Sequence, residues 1–220
     1  MKHKIINKKL LSSSTLKLDI SRENIQFKPG SCVSFKYQDV YRPYSIASSI
    51  NDDYLRFYIR LFDNGTMSSY LNKLSNGDEI ESNEIFSYFA PGQTNSKYVY
   101  IATGTGIAPF LSALKSYQHK PEIILYSART KDDLIEYEYL SQNFNTILTT
   151  TRKHENNINY GRLTEYIKYI PIIPNMELSL GITYYLCGIN TMIDDVSCYL
   201  TDNGIHYKNI IQEQFYQKQD

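Results

Sequence analysis

Arg42-Pro43-Tyr44-Ser45 places a fixed cation, a flat ring and a hydroxyl within four residues. A guanidinium pairs with oxyanions through its planar fork, a phenol ring stacks on another aromatic system, and a serine hydroxyl can reach a ring nitrogen. In a regular strand Arg42 and Tyr44 point to one side and Ser45 to the other unless the segment bends. Gly65-Thr66-Met67-Ser68 follows a strand pattern and opens a short helix. Backbone N–H groups at a helix start bind anions, and Gly65 leaves room for a phosphate. Ala102-Thr103-Gly104-Thr105-Gly106-Ile107-Ala108-Pro109 is a glycine-rich strand-to-helix turn suited to a pyrophosphate, though it is not a full G-x-G-x-x-G. Cys187-Gly188-Ile189-Asn190-Thr191-Met192 ends another strand pattern, at the edge where open α/β sheets bind ligands. Glu213-Gln214-Phe215-Tyr216 closes the set near the tail. Each segment also has a plainer reading alone: a strand with an exposed arginine, a serine-capped helix start, an unliganded turn, a small buried cysteine, and tail aromatics that pack.

The elements that must position these residues fall into two halves. Over the first ~95 residues Leu16–Ile20, Cys32–Tyr37 and Tyr54–Leu61 alternate apolar and polar side chains, as half-buried strands do. Pro29-Gly30, Asn51-Asp52-Asp53 and Asn76-Gly77-Asp78 mark turns between strands, and one short helix is expected over Met67–Leu74. This pattern predicts a small antiparallel barrel or sandwich. Beyond it, Tyr98–Ala102, Ile123–Tyr126, Ile147-Leu148 and Tyr184–Cys187 are short apolar runs, as in parallel strands buried on both faces. Helical patterns intervene at Ile107–Leu114, Asp132–Gln142 and Thr191–Asp202, which predicts a doubly wound α/β sheet. The turn-rich stretch Pro91–Ser96 sets the expected boundary, with a β domain over 1–95 and an α/β domain over 96–220.

Composition narrows the classes. Lys+Arg and Asp+Glu both number 23, so no basic surplus points to nucleic acid. The three cysteines, Cys32, Cys187 and Cys198, suit neither a disulfide framework, a zinc site nor an iron–sulfur cluster, and fit a reducing, cytoplasmic location. No apolar run marks a signal peptide or a membrane span.

All five segments, in this order across a β half and an α/β half, resemble the ferredoxin–NADP reductases of the bacterial type, from about Leu16 to Tyr216. The resemblance implies an N-terminal antiparallel β-barrel that binds FAD and a C-terminal doubly wound parallel sheet that binds NADP. Arg42 would hold the flavin diphosphate, Tyr44 would stack on the isoalloxazine, and Ser45 would lie beside its reactive nitrogen. Gly65, Met67 and Ser68 would line the FAD pyrophosphate. Thr105 and Gly106 would approach the nicotinamide nucleotide, and Cys187 and Gly188 would flank the nicotinamide. Glu213 would support the active site, and Tyr216 would cover the second flavin face and make way for the nicotinamide. Gln217–Asp220 follow that aromatic, whereas plant-type members end on it. Thr151-Arg152, after the Ile147-Leu148 strand, resembles the family's Ser-Arg pair for the 2′-phosphate, with Lys153 and Arg162 as further candidates. The implied activity passes a hydride between NADP(H) and FAD and single electrons onward to ferredoxin or flavodoxin, in a monomer without nucleic-acid or membrane-spanning function. A free-flavin reductase and the reductase component of an oxygenase system stay open as alternatives, though an iron–sulfur domain finds no room here. A flavin-binding sensor or scaffold is the non-enzyme alternative.

Overall fold

The structure is a computed structural model that describes residues 1–92, 97–172 and 181–214. It divides into two compact units. Of the described residues, the first takes in Met1–Pro91 and Ala108–Gln118, and the second the rest of the chain from Gly92 to Ile107 and from His119 to Gln214. The expected boundary at 95/96 lies outside the described residues.

The first unit is an antiparallel sheet of β1 (Lys2–Ser12), β2 (Thr15–Ser21), β3 (Ser31–Tyr37), β4 (Val40–Ser45), β5 (Tyr54–Arg60), β6 (Glu79–Ser82) and β7 (Phe86–Ser87), with helix α1 (Thr66–Lys73). The strand order is β4-β3-β6-β1-β2-β5, and β7 pairs with β3. The sheet curls into a barrel, since beyond the end of β4 the Ala47 N–H donates to the Arg56 carbonyl of β5 at 2.8 Å. Alternation explains the core. Leu16, Leu18 and Ile20 lie opposite Ile59, Phe57 and Leu55, and all six are fully buried. On the other face of this strand pair Asp19 holds Arg56 in a two-pronged ion pair at 2.7 and 2.9 Å.

Helix α2 (Ala108–Ser116) belongs to this unit by its packing. Ser112 Oγ donates to the Ser48 carbonyl at 2.8 Å, and the Ile50 N–H donates to Ser116 Oγ at 3.0 Å. Phe110 lies 5.8 Å from Phe89, ring to ring. The turn after Arg42–Ser45 is thus fixed by a helix that arrives later in the chain.

The second unit is a parallel sheet of β8 (Tyr98–Thr103), β9 (Ile123–Ala128), β10 (Thr146–Thr150), β11 (Asn159–Tyr160), β12 (Thr183–Gly188) and β13 (Ile210–Gln214). Its order is β11-β10-β9-β8-β12-β13. Helices α3 (Tyr137–Asn143) and α4 (Asn190–Asp202) belong here. Ile193, Val196 and Leu200 of α4 bury against Val99, Ile101, Tyr184 and Leu186. The expected helix over 132–142 is instead broken: a 3₁₀ turn spans Lys131–Asp133, Glu136 is left-handed at φ 55°, and α3 starts at Tyr137. The reason is tertiary. The buried Tyr126 hydroxyl accepts the Ile135 N–H at 3.1 Å, so that amide serves the sheet rather than a helix. Among the described residues no helix is long and apolar enough to cross a membrane.

Candidate functional site

In the barrel unit, β4 runs as a regular strand through Ser45, without the bend that would turn the serine to the tyrosine's side. Arg42 lies opposite Phe35 and Tyr44 opposite Val33, so both share the inward face of β3 and β4. Tyr44 leans on Phe35 at 5.4 Å between ring centres, and burial pushes its hydroxyl well above the usual tyrosine range despite the Arg42 charge. Arg42 is half-buried. Ser45 faces the other way, buried, with its Oγ 3.4 Å from Cys32 Sγ.

Helix α1 begins at Gly65, whose backbone is extended and which offers no side-chain cap. The amides of Thr66, Met67 and Ser68 precede the first helical hydrogen bond, from the Ser69 N–H to the Gly65 carbonyl at 2.9 Å. The Met67 side chain packs into the barrel core, and the Ser68 hydroxyl turns back to the Phe62 and Gly65 backbone. These residues therefore offer a ligand their backbone N–H groups rather than their side chains.

In the second unit the sheet order reverses at β8, whose neighbours are β9 and β12. Carboxyl ends of strands at such a reversal form a ligand crevice. Thr103-Gly104-Thr105-Gly106 and Cys187-Gly188 meet at this edge. A Cβ on Gly106 would sit 2.3 Å from the Cys187 carbonyl oxygen. Gly188 has φ 147°, and a Cβ there would sit 2.1 Å from Thr103 Oγ1. The same Oγ1 accepts the Ile189 N–H at 3.1 Å. Gly106 is thus required by the Cys187 backbone and Gly188 by the Thr103 hydroxyl and its own positive φ, whatever binds above them. Cys187 is buried and register-paired with Glu213 on β13, its Sγ 3.6 Å from Glu213 Oε2.

Next along the edge, the Thr151 N–H donates to the Ala128 carbonyl at 3.1 Å, and the Arg152 N–H to the Arg129 carbonyl at 2.9 Å. This lays the Thr151-Arg152 loop beside the end of β9. Arg129 and Arg152 repel: partial burial and then the Arg152 charge lower the Arg129 pKa, with Asp133 opposing. Lys153 pairs with Glu155 at 3.0 Å. The Arg162 backbone N–H donates to Glu165 at 2.9 Å and starts a 3₁₀ turn.

The structure thus groups Arg42 and Tyr44 on one barrel face, and Thr105, Gly106, Cys187, Gly188 and Glu213 at the strand ends of the second unit. It adds Arg129, which sequence reasoning passed over; its position at the carboxyl end of a buried strand is the available signal. Phe215 and Tyr216 lie outside the described residues.

Two families of oxidoreductase domain match the chain. Residues 2–83 match the oxidoreductase FAD-binding domain and residues 100–197 the oxidoreductase NAD-binding domain. The chain is 29% identical over 227 residues to the toluate 1,2-dioxygenase electron transfer component of Pseudomonas putida, covering 96% of this chain but 66% of that protein. It is 28% identical over 211 residues to a flavodoxin/ferredoxin–NADP reductase of Buchnera aphidicola, covering 88% and 80% of the two chains. The ferredoxin NADP+ reductase of Neisseria gonorrhoeae, solved with bound FAD and NADP, superposes with a TM-score of 0.84 at 24% identity over 98% of both chains. The chain belongs to the ferredoxin–NADP reductase-like family of FAD- and NAD(P)-binding oxidoreductases.

Proposed function

We propose that this protein is a ferredoxin– or flavodoxin–NADP reductase, cytoplasmic and divided near residue 95, that exchanges electrons between NADP(H) and a small one-electron carrier by way of FAD. The observation that carries the choice of NADP is the backbone bond from the Arg152 N–H to the Arg129 carbonyl at 2.9 Å, which brings two arginines together at the strand-end loop. Two arginines on adjoining loops suit a dianion through charge-assisted, forked hydrogen bonds, and a 2′-phosphate is such a group. Thr151 adds a hydroxyl, and the loop carries no acid before Glu155 to serve a free ribose.

The residues present also fit FAD. The α1 first-turn amides and Arg42 suit its diphosphate, and the Tyr44 ring suits its isoalloxazine. When bound, FAD supplies the conversion between two-electron and one-electron transfer. The protein's part is orientation. Tyr44 fixes the tilt of the ring that lies on it, and burial keeps its phenol neutral. Ser45, buried on the opposite face of β4 against Cys32, does not share the Tyr44 side on which the ring would lie. Gly106 and Gly188 keep the two strand ends in contact, so that Thr105 and the Cys187–Glu213 pair stand at one crevice edge. Positioning of this kind supplies much of a hydride-transfer rate. Tyr216 is assigned the cover over the flavin by family resemblance.

A second reading is favoured by one observation. The toluate dioxygenase component aligns with nearly this whole chain, which would make the protein a reductase that feeds an oxygenase. Purified protein should show flavin absorbance that bleaches anaerobically with NADPH at lower concentration than with NADH. The reduced protein should then reduce an added ferredoxin or flavodoxin. A colourless protein that takes up no FAD would refute both readings.

A further inference from the structure

Resting on the nicotinamide site proposed above, we infer that Tyr126 is a positioning residue for the nicotinamide dinucleotide: its buried hydroxyl holds the Gly104 carbonyl and so aims the Thr105 N–H at the ligand. Tyr126 lies on β9, opposite Ala102 of β8 and Leu148 of β10, and is fully buried. From there its hydroxyl reaches both loops that leave the carboxyl ends of β8 and β9. It donates to the Gly104 carbonyl at 3.0 Å, with the Asp133 carbonyl a longer second acceptor at 3.3 Å. It accepts the Ile135 N–H at 3.1 Å. A buried hydroxyl must find partners somewhere. Which carbonyl it takes is the informative part, because the hydroxyl has a single proton to give.

A peptide is planar and trans, so its carbonyl and the N–H that follows point opposite ways. A Gly104 carbonyl turned toward Tyr126 therefore turns the Thr105 N–H away from the buried side. Space for a ligand is present at this turn: Gly104 has φ 55°, and a Cβ built on it would meet nothing within 4 Å. Gly104 and Thr105 are half-buried, whereas Gly106 is buried against the Cys187 backbone. A turn with glycine at both 104 and 106 has many conformations, and a ligand that had to order it would bind more weakly. The Cys187 backbone restricts Gly106, and the Tyr126 hydroxyl restricts Gly104. Burial raises the phenol above the usual tyrosine range, with the Ile135 N–H opposing and Asp133 adding, so the donor keeps its proton.

The test is Tyr126→Phe, which removes one oxygen and keeps the ring. KM and kcat are measured with NADPH and with NADH, using ferricyanide as the electron acceptor. The Thr105 N–H would meet a part that both nucleotides share. Both KM values should therefore rise by the same factor, about tenfold or about 1.4 kcal/mol, with kcat and FAD content kept. A tyrosine that only fills and satisfies the core predicts a lower Tm with both KM values unchanged, and that outcome overturns the inference. A loss confined to NADPH overturns it too, because the hydroxyl would then act through Asp133 and Ile135 on the Arg129 loop. A second measurement needs no variant: in parent protein carrying isotope-labelled threonine, the Thr105 amide resonance should shift on addition of NADP+ and of NAD+. An unmoved Thr105 signal overturns the inference even if the phenylalanine variant folds poorly. A parent protein that oxidises neither NADPH nor NADH overturns the underlying reading, and the inference with it.

Discussion

Replacing Arg152 by alanine should cost NADPH binding without costing the free protein anything. In the free state Arg152 contributes repulsion, because its charge lowers the pKa of Arg129. Its removal takes away a like charge at an exposed loop, so thermal stability should stay within about 0.5 kcal/mol of the parent or rise slightly. With a 2′-phosphate in place the sign reverses, and Arg152 supplies a charge-assisted hydrogen bond. Such bonds contribute ~1.5–3 kcal/mol, and exposure of Arg152 to solvent argues for the lower end. A loss of about 1.5 kcal/mol is roughly tenfold in affinity. NADH has no such phosphate and should be unaffected. The assay is calorimetric titration with adenosine 2′,5′-bisphosphate and with 5′-AMP, followed by KM for NADPH and NADH. Arg129→Ala should behave alike. The double variant should lose less than the sum, because each single change also removes the repulsion on its neighbour. Equal loss with the two nucleotides, or destabilisation of the free protein, would refute the assignment.

Two further outcomes follow from buried contacts. Gly188→Ala drives a Cβ against Thr103 Oγ1, which cannot swing away without releasing the Ile189 N–H, in backbone that favours glycine. A cost of about 2–4 kcal/mol and a fall in Tm of several degrees are expected by thermal melt; an unchanged Tm would show that the strand ends can part freely. His3 is buried, with Nδ1 2.9 Å from the Ser21 carbonyl and Nε2 2.9 Å from Ser82 Oγ. Its pKa is lowered chiefly by burial and less by the chain terminus, against the Ser21 carbonyl and Glu23, which raise it. A depressed histidine contributes stability that is present above the unfolded value near 6.5 and is lost as pH falls through the folded value. Urea melts between pH 7 and 5 should lose stability in the parent, and His3→Asn should flatten that slope; equal slopes would remove His3 from the acid response.

Much of this was legible in the sequence where pattern and burial coincide. β2 and β5 announce themselves because every second residue is core, and β8, β9 and β12 because both faces are covered. β1 was not, because Lys2, Lys4, Lys8 and Lys9 leave only His3 and Ile5 buried, and its pairing with β6 is distant in sequence. β13 carries its paired Ile210–Gln214 segment in what reads as a tail. The break before α3 depends on a tyrosine in another strand. At the site, residue types suggested groups that bind phosphate, yet the sequence could not separate side chain from backbone. Met67 and Ser68 present amides, and Gly106 and Gly188 serve the packing of two strands. Arg129 looked like any strand-end arginine until the loop bearing Arg152 was seen folded beside it.

The packing of α2 has a bearing on how this protein can be cut and recombined. The helix is encoded between two strands of the dinucleotide sheet, yet Ser112 and Ser116 grip the backbone at Ser48 and Ile50. A graft that exchanged everything after Pro91 for the corresponding half of another reductase would install a foreign helix at that grip. It would disturb the turn that follows the Arg42–Ser45 strand, far from the splice in sequence. Grafts that retain Phe110, Ser112 and Ser116 from the barrel's own parent should keep flavin binding and cofactor preference as independently exchangeable traits.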